Sequence, residues 1–222
     1  MGVSSSLPVL SQPSFPIVVS GPSGVGKTVL CRELTRANPS TVLSITATTR
    51  APRDGEFDGV DYFFLDSRSF LAMRDSGGLA EWAEVHGHLY GTPREWLEQK
   101  LREGRCVVLN IDVQGGLNIR RVYPQSLLVF VLPPSMEELE RRLRRRATDS
   151  PEQVEARLRR AIEEIQLVSS YDAVVVNGVL AEAVAELDAI VRGERARVHR
   201  RLAAVPRPGS GACSPTERGG EG

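Results

Sequence analysis

The sequence predicts an α/β fold, a doubly wound parallel sheet with a phosphate-binding loop after its first strand. Apolar, β-branched runs alternate with amphipathic helical stretches along most of the chain. A glycine-rich segment, "SGPSGVGKTVL" from Ser20, stands where the first strand must hand over to the first helix. Between about 47 and 92 the alternation breaks into short strand-like pieces, which marks a small insert.

In order, the first strand is "FPIVVS", 15–20. Three glycines in six residues follow, and glycine loses the most freedom on ordering, so the cluster needs a reason. The spacing Gly21-x-x-x-x-Gly26-Lys27-Thr28 fits a loop whose backbone N–H groups wrap a nucleotide's phosphates. Gly21, Gly24 and Gly26 let the backbone approach an anion, and the following helix offers an electropositive N-terminus. Lys27 adds a charge for the β- and γ-phosphates, and the Thr28 hydroxyl can ligate Mg²⁺. Gly21, Pro22, Ser23, Gly24, Val25, Gly26, Lys27 and Thr28 are therefore the expected phosphate loop. A merely flexible glycine turn would not need the strand before it and the helix after it. That helix, 27–37, repeats Val29, Leu30, Leu34 and Ala37 at helical spacing.

The second strand is "TVLSIT" (41–46). The insert offers "DYFFL", "LAEWAEV" and "HLYG" with one short helix near 67–75. A helix over 93–103 leads to two buried parallel strands, "CVVLNI" (106–111) and "SLLVFVL" (126–132). Helices over 135–145 and 151–169, the strand "DAVVVN" (172–177) and a helix over 179–195 complete the order. The last helix carries Val184, Leu187 and Val191 on one face.

The chain has 222 residues, enough for one domain with a small insert. Lys+Arg and Asp+Glu both number 28, a balance that argues against nucleic acid or a membrane surface as partner. No apolar run approaches the ~20 residues of a transmembrane helix, and the first residues lack a secretory pattern. Met1-Gly2 with Ser6 fits the short myristoylation pattern, without polybasic support. Cys31, Cys106 and Cys213 form no metal or disulfide pattern, so a reducing cytoplasm is the expected location. Residues 1–14 and 199–222, rich in Ser, Pro and Gly, are expected to be disordered tails.

The insert carries the informative chemistry. "TATTRAPRDGEFDGVDYFF" gathers Arg50, Arg53 and Tyr62, groups that suit a phosphate and equally suit solvated surface. "AEWAEVHGHLYGT" supplies Glu81, Tyr90 and Thr92. Asp112 closes a buried strand, where doubly wound sheets hold ligands and where a helix cap would also stand. Two carboxylates and a hydroxyl match guanine, whose N1–H and N2–H₂ donate beside an O6 acceptor. Adenine reverses that edge.

Five segments in this order, "GPSGVGKT", "TATTRAPRDGEFDGVDYFF", "EWAEVHGHLYGT", "IDVQGG" and "VLPPSMEELERRLRRRATDS", resemble the guanylate kinase family over about residues 15–195. The resemblance implies a P-loop NTPase-type doubly wound parallel sheet with a small mixed α/β GMP-binding insert and a helical lid. It implies transfer of the ATP γ-phosphoryl group to GMP, and to dGMP, with Mg²⁺. It divides residues 15–198 into core (15–46, 93–135 and 159–198), GMP lobe (47–92) and lid (about 136–158). The guanine readers it implies are Thr46, Glu81, Thr92 and Asp112. The implied GMP-phosphate ligands are Arg50, Arg53, Tyr62 and Tyr90, and the lid arginines are Arg146 and Arg157, catalytic with Lys27. The sequence departs from the family pattern at Asn110 (usually Asp), Ala147 (usually Gly) and Gly178 (commonly acidic). Asn110 touches the chemistry, since a strand-end aspartate commonly holds Mg²⁺ through water.

Three other readings compete. The arginine-rich lid could be a nucleic-acid patch, but Glu137, Glu138, Glu140, Glu152 and Glu155 interleave with it. A non-catalytic interaction domain of this fold typically has a degraded phosphate loop, and this loop is intact. A kinase for another acceptor, such as AMP, UMP or a ribose phosphate, would leave the Glu81/Asp112 pair without its partners. His86 and His88 stand two apart with no third ligand nearby and suit a turn or surface.

Overall fold

The structure, a computed structural model, describes residues 12–85, 87–145 and 150–201. Arg146, Ala147, His86 and Cys213, singled out above, lie outside the described residues.

Five strands form the central sheet: β1 (Pro16–Ser20), β2 (Thr41–Leu43), β7 (Cys106–Asn110), β8 (Leu127–Leu132) and β9 (Ala173–Val176). Their order is β2-β7-β1-β8-β9 and every pairing is parallel. β1 is buried throughout because helices cover both faces, as the unbroken apolar run required. One face buries Ile17, Val19, Leu30, Leu34, Val108 and Val129 under α1 (Lys27–Ala37) and α7 (Leu180–Ala196). The other buries Val18, Leu97, Leu109, Ile119 and Leu128 under α3 (Arg94–Arg102) and α4 (Val113–Val122).

A second, four-stranded sheet carries the insert, in the order β4-β3-β6-β5. Its strands are β3 (Thr46–Thr48), β4 (Tyr62–Phe64), β5 (Leu79–Val85) and β6 (His88–Pro93), with α2 (Ser67–Asp75) packed on them through buried Phe70. β3 and β4 run parallel while β6 is antiparallel to β3 and β5, so the sheet is mixed. The helices α5 (Met136–Arg144) and α6 (Pro151–Ile165) pack together through Leu139, Leu143, Val154 and Ala161.

The sequence-based elements need four corrections. The run 41–46 is two strands in two sheets. Ser44 N donates to Val108 O as the chain leaves the central sheet, and Thr46 then pairs with Tyr62 in the insert. The helix α4 is not in the sequence reading, because Gly115 and Gly116 hide its period. Gly116 is required by space: a Cβ there would lie 2.7 Å from Tyr171 Oη and 2.9 Å from Ser20 Oγ. The stretch 151–169 is helical to Ile165 and resumes as one 3-10 turn at Val168–Ser170. Order also extends past both expected boundaries. At the N-terminal side, Ser14 Oγ donates to Leu101 O at 2.8 Å. At the other end α8 (Val198–Arg201) is anchored by Arg200, which stacks 3.7 Å from the Phe15 ring centroid and pairs with Glu194.

Candidate active site

The phosphate loop joins β1 to α1. Gly26 caps α1 in the left-handed region, φ 98°, with no side-chain cap and no acid in the first turn. The leading N–H groups of α1 therefore remain available to an anion, and the helix dipole favours one. Gly21 is required by packing as well, since a Cβ there would sit 2.3 Å from Val131 O. Lys27 folds over this loop, its Nζ donating to Gly21 O at 2.5 Å and Pro22 O at 3.0 Å. Behind the loop, the carbonyl of buried Val25 accepts from Asn177 Nδ2 (2.8 Å) and Arg142 Nη1 (3.3 Å). This fixes the loop from its far side.

A cavity of about 550 Å³ opens in front of it. The central domain contributes Gly21, Ser23, Lys27, Thr28, Asn110 and Asp112 to its wall, and the insert contributes Thr46, Tyr62, Glu81 and Tyr90. Phosphate loop and acid pair thus face one space although Glu81 and Asp112 follow Lys27 by about 55 and 85 residues along the chain.

Glu81 is only 7% exposed, and its Oε1 accepts from the Thr92 hydroxyl at 2.7 Å. Burial pushes the Glu81 carboxyl up to about 7; the Thr92 hydrogen bond opposes the rise and the neighbouring Asp112 charge adds to it. Thr92 is wholly buried behind Glu81 and does not line the cavity. Its hydroxyl orients the acid. Asp112 does both things that the sequence allowed: its Oδ1 caps α4 by accepting from Gly115 N at 2.7 Å, and the residue lines the cavity. Gly115 keeps the two acids adjacent, since a Cβ there would stand 3.0 Å from Glu81 Oε2 and 3.3 Å from Asp112 Oδ1.

At the insert end, the Tyr62 and Tyr90 rings meet edge to face at 6.3 Å, and the Arg50 guanidinium lies 5.3 Å from the Tyr62 centroid. Arg50 Nη2 contacts both Glu56 oxygens at 2.9 Å, and Arg53 offers its backbone N–H to Glu56 at 2.8 Å. Neither Arg50 nor Arg53 lines the cavity, although Arg50 lies against Tyr62, which does. Asn110 Nδ2 lies 3.1 Å from Thr28 Oγ1, which brings the two expected Mg²⁺-side groups together.

From α6 the cavity is lined by Arg160, Glu163 and Glu164, whereas Arg157, one turn earlier, does not line it. Burial raises the Glu164 carboxyl; Lys27 opposes this and Asp112 adds to it, so Glu164 lies within the field of both. Arg32, Asp61 and Ser44 also line the cavity. Helical spacing held a signal for Arg32, four residues after Thr28, and for Glu164, four after Arg160. Nothing in the local pattern marked Ser44.

A family model for guanylate kinase matches residues 14–194. The chain belongs to the guanylate kinase family. A guanylate kinase of Caldanaerobacter subterraneus subsp. tengcongensis is 45% identical over 184 residues, 83% of this chain and 89% of that protein. One of Anaeromyxobacter dehalogenans is 50% identical over 187 residues, 83% of each chain. The crystal structure of guanylate kinase from Anaplasma phagocytophilum superposes with a TM-score of 0.72 at 34% identity, covering 87% of this chain and 93% of that one. The P-loop NTPase-type fold expected from the sequence is thereby shown, and this guanylate kinase family member is a nucleotide-binding transferase.

Proposed function

We propose that this guanylate kinase transfers the γ-phosphoryl group of ATP to GMP, giving ADP and GDP. One observation carries the reading: a single cavity joins an intact phosphate loop to two adjacent carboxylates. The loop and the N-terminus of α1 hold the ATP phosphates, and Lys27 turns from the Gly21 and Pro22 carbonyls to the β/γ-phosphates. Glu81 and Asp112 accept from guanine N1–H and N2–H₂, with Thr46 completing the edge. Thr92 keeps Glu81 in place. Tyr62, Tyr90, Arg50 and Arg53 hold the GMP phosphate, Arg50 exchanging Glu56 for it. Arg146 and Arg157 serve as lid cations, with Arg160 as a further one at the cavity wall.

The GMP phosphate is ionised at neutral pH, so alignment and charge neutralisation suffice without a general base. Mg²⁺ bound with ATP would supply charge neutralisation for the phosphates during transfer. Thr28 Oγ1 and the Asn110 side-chain oxygen suit this hard ion, the latter through water. No group of three or more His, Cys, Asp or Glu able to hold a metal occurs among the described residues. No helix among the described residues is long and apolar enough to cross a membrane. We place the enzyme in the cytoplasm, without nucleic-acid partners, on its balanced charge and its buried free Cys31 and Cys106.

A coupled ADP-release assay with AMP, CMP, GMP and UMP tests the reading. Turnover with GMP alone is expected; release indifferent to GMP would overturn it. The non-catalytic alternative predicts no release with any of the four.

A further inference from the structure

The cavity has a lip that neither the phosphate loop nor the acid pair uses. There Arg32 Nη2 on α1 lies 3.2 Å from Asp61 Oδ1 in the loop before β4, and both residues line the cavity. The chain puts them there. Arg32 follows Thr28 by four residues, so the two share a face of α1, and long helical side chains lean back toward the helix N-terminus. Arg32 therefore reaches over the cavity. Asp61 is fixed from its own side by a turn, its Oδ2 accepting from Phe57 N and its N–H donating to Phe57 O, each at 3.0 Å. The insert is also joined to the core elsewhere. Arg94 at the start of α3 donates to Gly77 O (2.9 Å) and Leu79 O (3.0 Å), and α4 packs on β5. The Arg32–Asp61 pair ties the lip that those joints leave open.

We propose that Arg32 and Asp61 are positioning residues for the acceptor nucleotide, a latch that holds the insert over the core before the nucleotide arrives. This rests on the function proposed above. A site already held near its binding arrangement gives up less affinity to the fraction of molecules that must close. Releasing the latch lowers that fraction and weakens acceptor binding. The pair is solvent-accessible, with side chains 55% and 21% exposed, and exposed pairs are weak. The expected change is therefore about two- to five-fold.

Arg32→Gln and Asp61→Asn test it. Glutamine keeps helix propensity, and asparagine keeps an acceptor for Phe57 N. Each single variant is expected to raise the GMP KM, and the GMP Kd by calorimetry without ATP, about two- to five-fold. The double variant should add nothing further, because one interaction cannot be lost twice. The ATP KM should stay unchanged, while amide exchange in the 57–62 loop quickens in all three. GMP constants that match wild type, or single effects that multiply in the double variant, overturn the latch alone. A wild type that neither binds nor phosphorylates GMP overturns the functional reading and the latch with it.

Discussion

Glu81, the carboxylate proposed to read guanine, holds its proton more tightly than an exposed glutamate because it is buried. Its carboxyl stands at about 7 against 4.5, a differential cost of about 3 kcal/mol at ~1.4 kcal/mol per unit. The folded pKa is above the unfolded one, so the folded state binds the extra proton. Stability is therefore lost as pH rises from 4.5 to about 7, and the full cost applies above 7. Glu81→Gln should raise the melting temperature at pH 8 and lose that advantage toward pH 4.5, as calorimetric melts at both pH values will show. The same substitution should lower kcat/KM for GMP by ~1–3 kcal/mol, since a charged acceptor is lost. In wild type, GMP affinity should fall as pH drops below about 7, because a protonated Glu81 is a weaker acceptor than the carboxylate. A flat GMP affinity between pH 6 and 8 would place Glu81 outside the base contact. Asn110 makes a second residue-scale prediction. Its Nδ2 donates to Thr28 Oγ1 at 3.1 Å, and its side chain also carries a carbonyl oxygen but no charge. Asn110→Asp should lower the Mg²⁺ concentration for half-maximal activity at fixed ATP and leave the preference for GMP unchanged. An unaltered Mg²⁺ titration would remove residue 110 from the metal's surroundings.

Among the elements, α8 is the one that sequence composition concealed. Its anchor Arg200 is 9% exposed, pairs with Glu194, donates to Gln125 O at 2.9 Å and covers the Phe15 ring. The element thus clamps the entry to β1 against the chain's other end, where a basic, proline-bounded stretch read as tail. Arg200→Ala should cost about 1.5–3 kcal/mol in denaturant unfolding, the range for hydrogen bonds to charged groups, with GMP and ATP kinetics untouched. Glu194 keeps Arg197 as a partner at 2.9 Å, which holds the loss below that of a stranded buried charge. Unfolding free energy equal to wild type would show that α8 contributes nothing to the core. The helix α4 shows the same concealment from a different cause: Gly115 and Gly116 depress helix propensity, Gly116 being required by close packing against Tyr171 and Ser20 and Gly115 standing tight against Glu81.

Across the whole molecule, the phosphate loop lies on the central sheet and Glu81, the proposed base reader, on the insert, and both face one cavity. Lys27→Ala should therefore abolish turnover while a folded protein still binds GMP in calorimetry. Loss of GMP binding in that variant would contradict two separable sites. The division between sequence and tertiary structure follows the range of the forces. The phosphate loop, the buried strands Pro16–Ser20, Cys106–Asn110 and Leu127–Leu132, and most helices were legible, because glycine spacing, apolar runs and helical periods act over a few residues. The family was legible from the five ordered motifs, and the residue types of Glu81 and Asp112 suggested guanine as the base to be read. Local pattern could not tell that the run 41–46 divides between two sheets, since both halves are equally strand-like and only their partners Val108 and Tyr62 differ. Nor could it reveal that Thr92 stands behind Glu81, that Arg160 and Glu164 face the cavity, or that Arg32 meets Asp61. Those placements depend on how two sheets and a helix pair pack, and packing is decided by contacts between residues far apart in the chain.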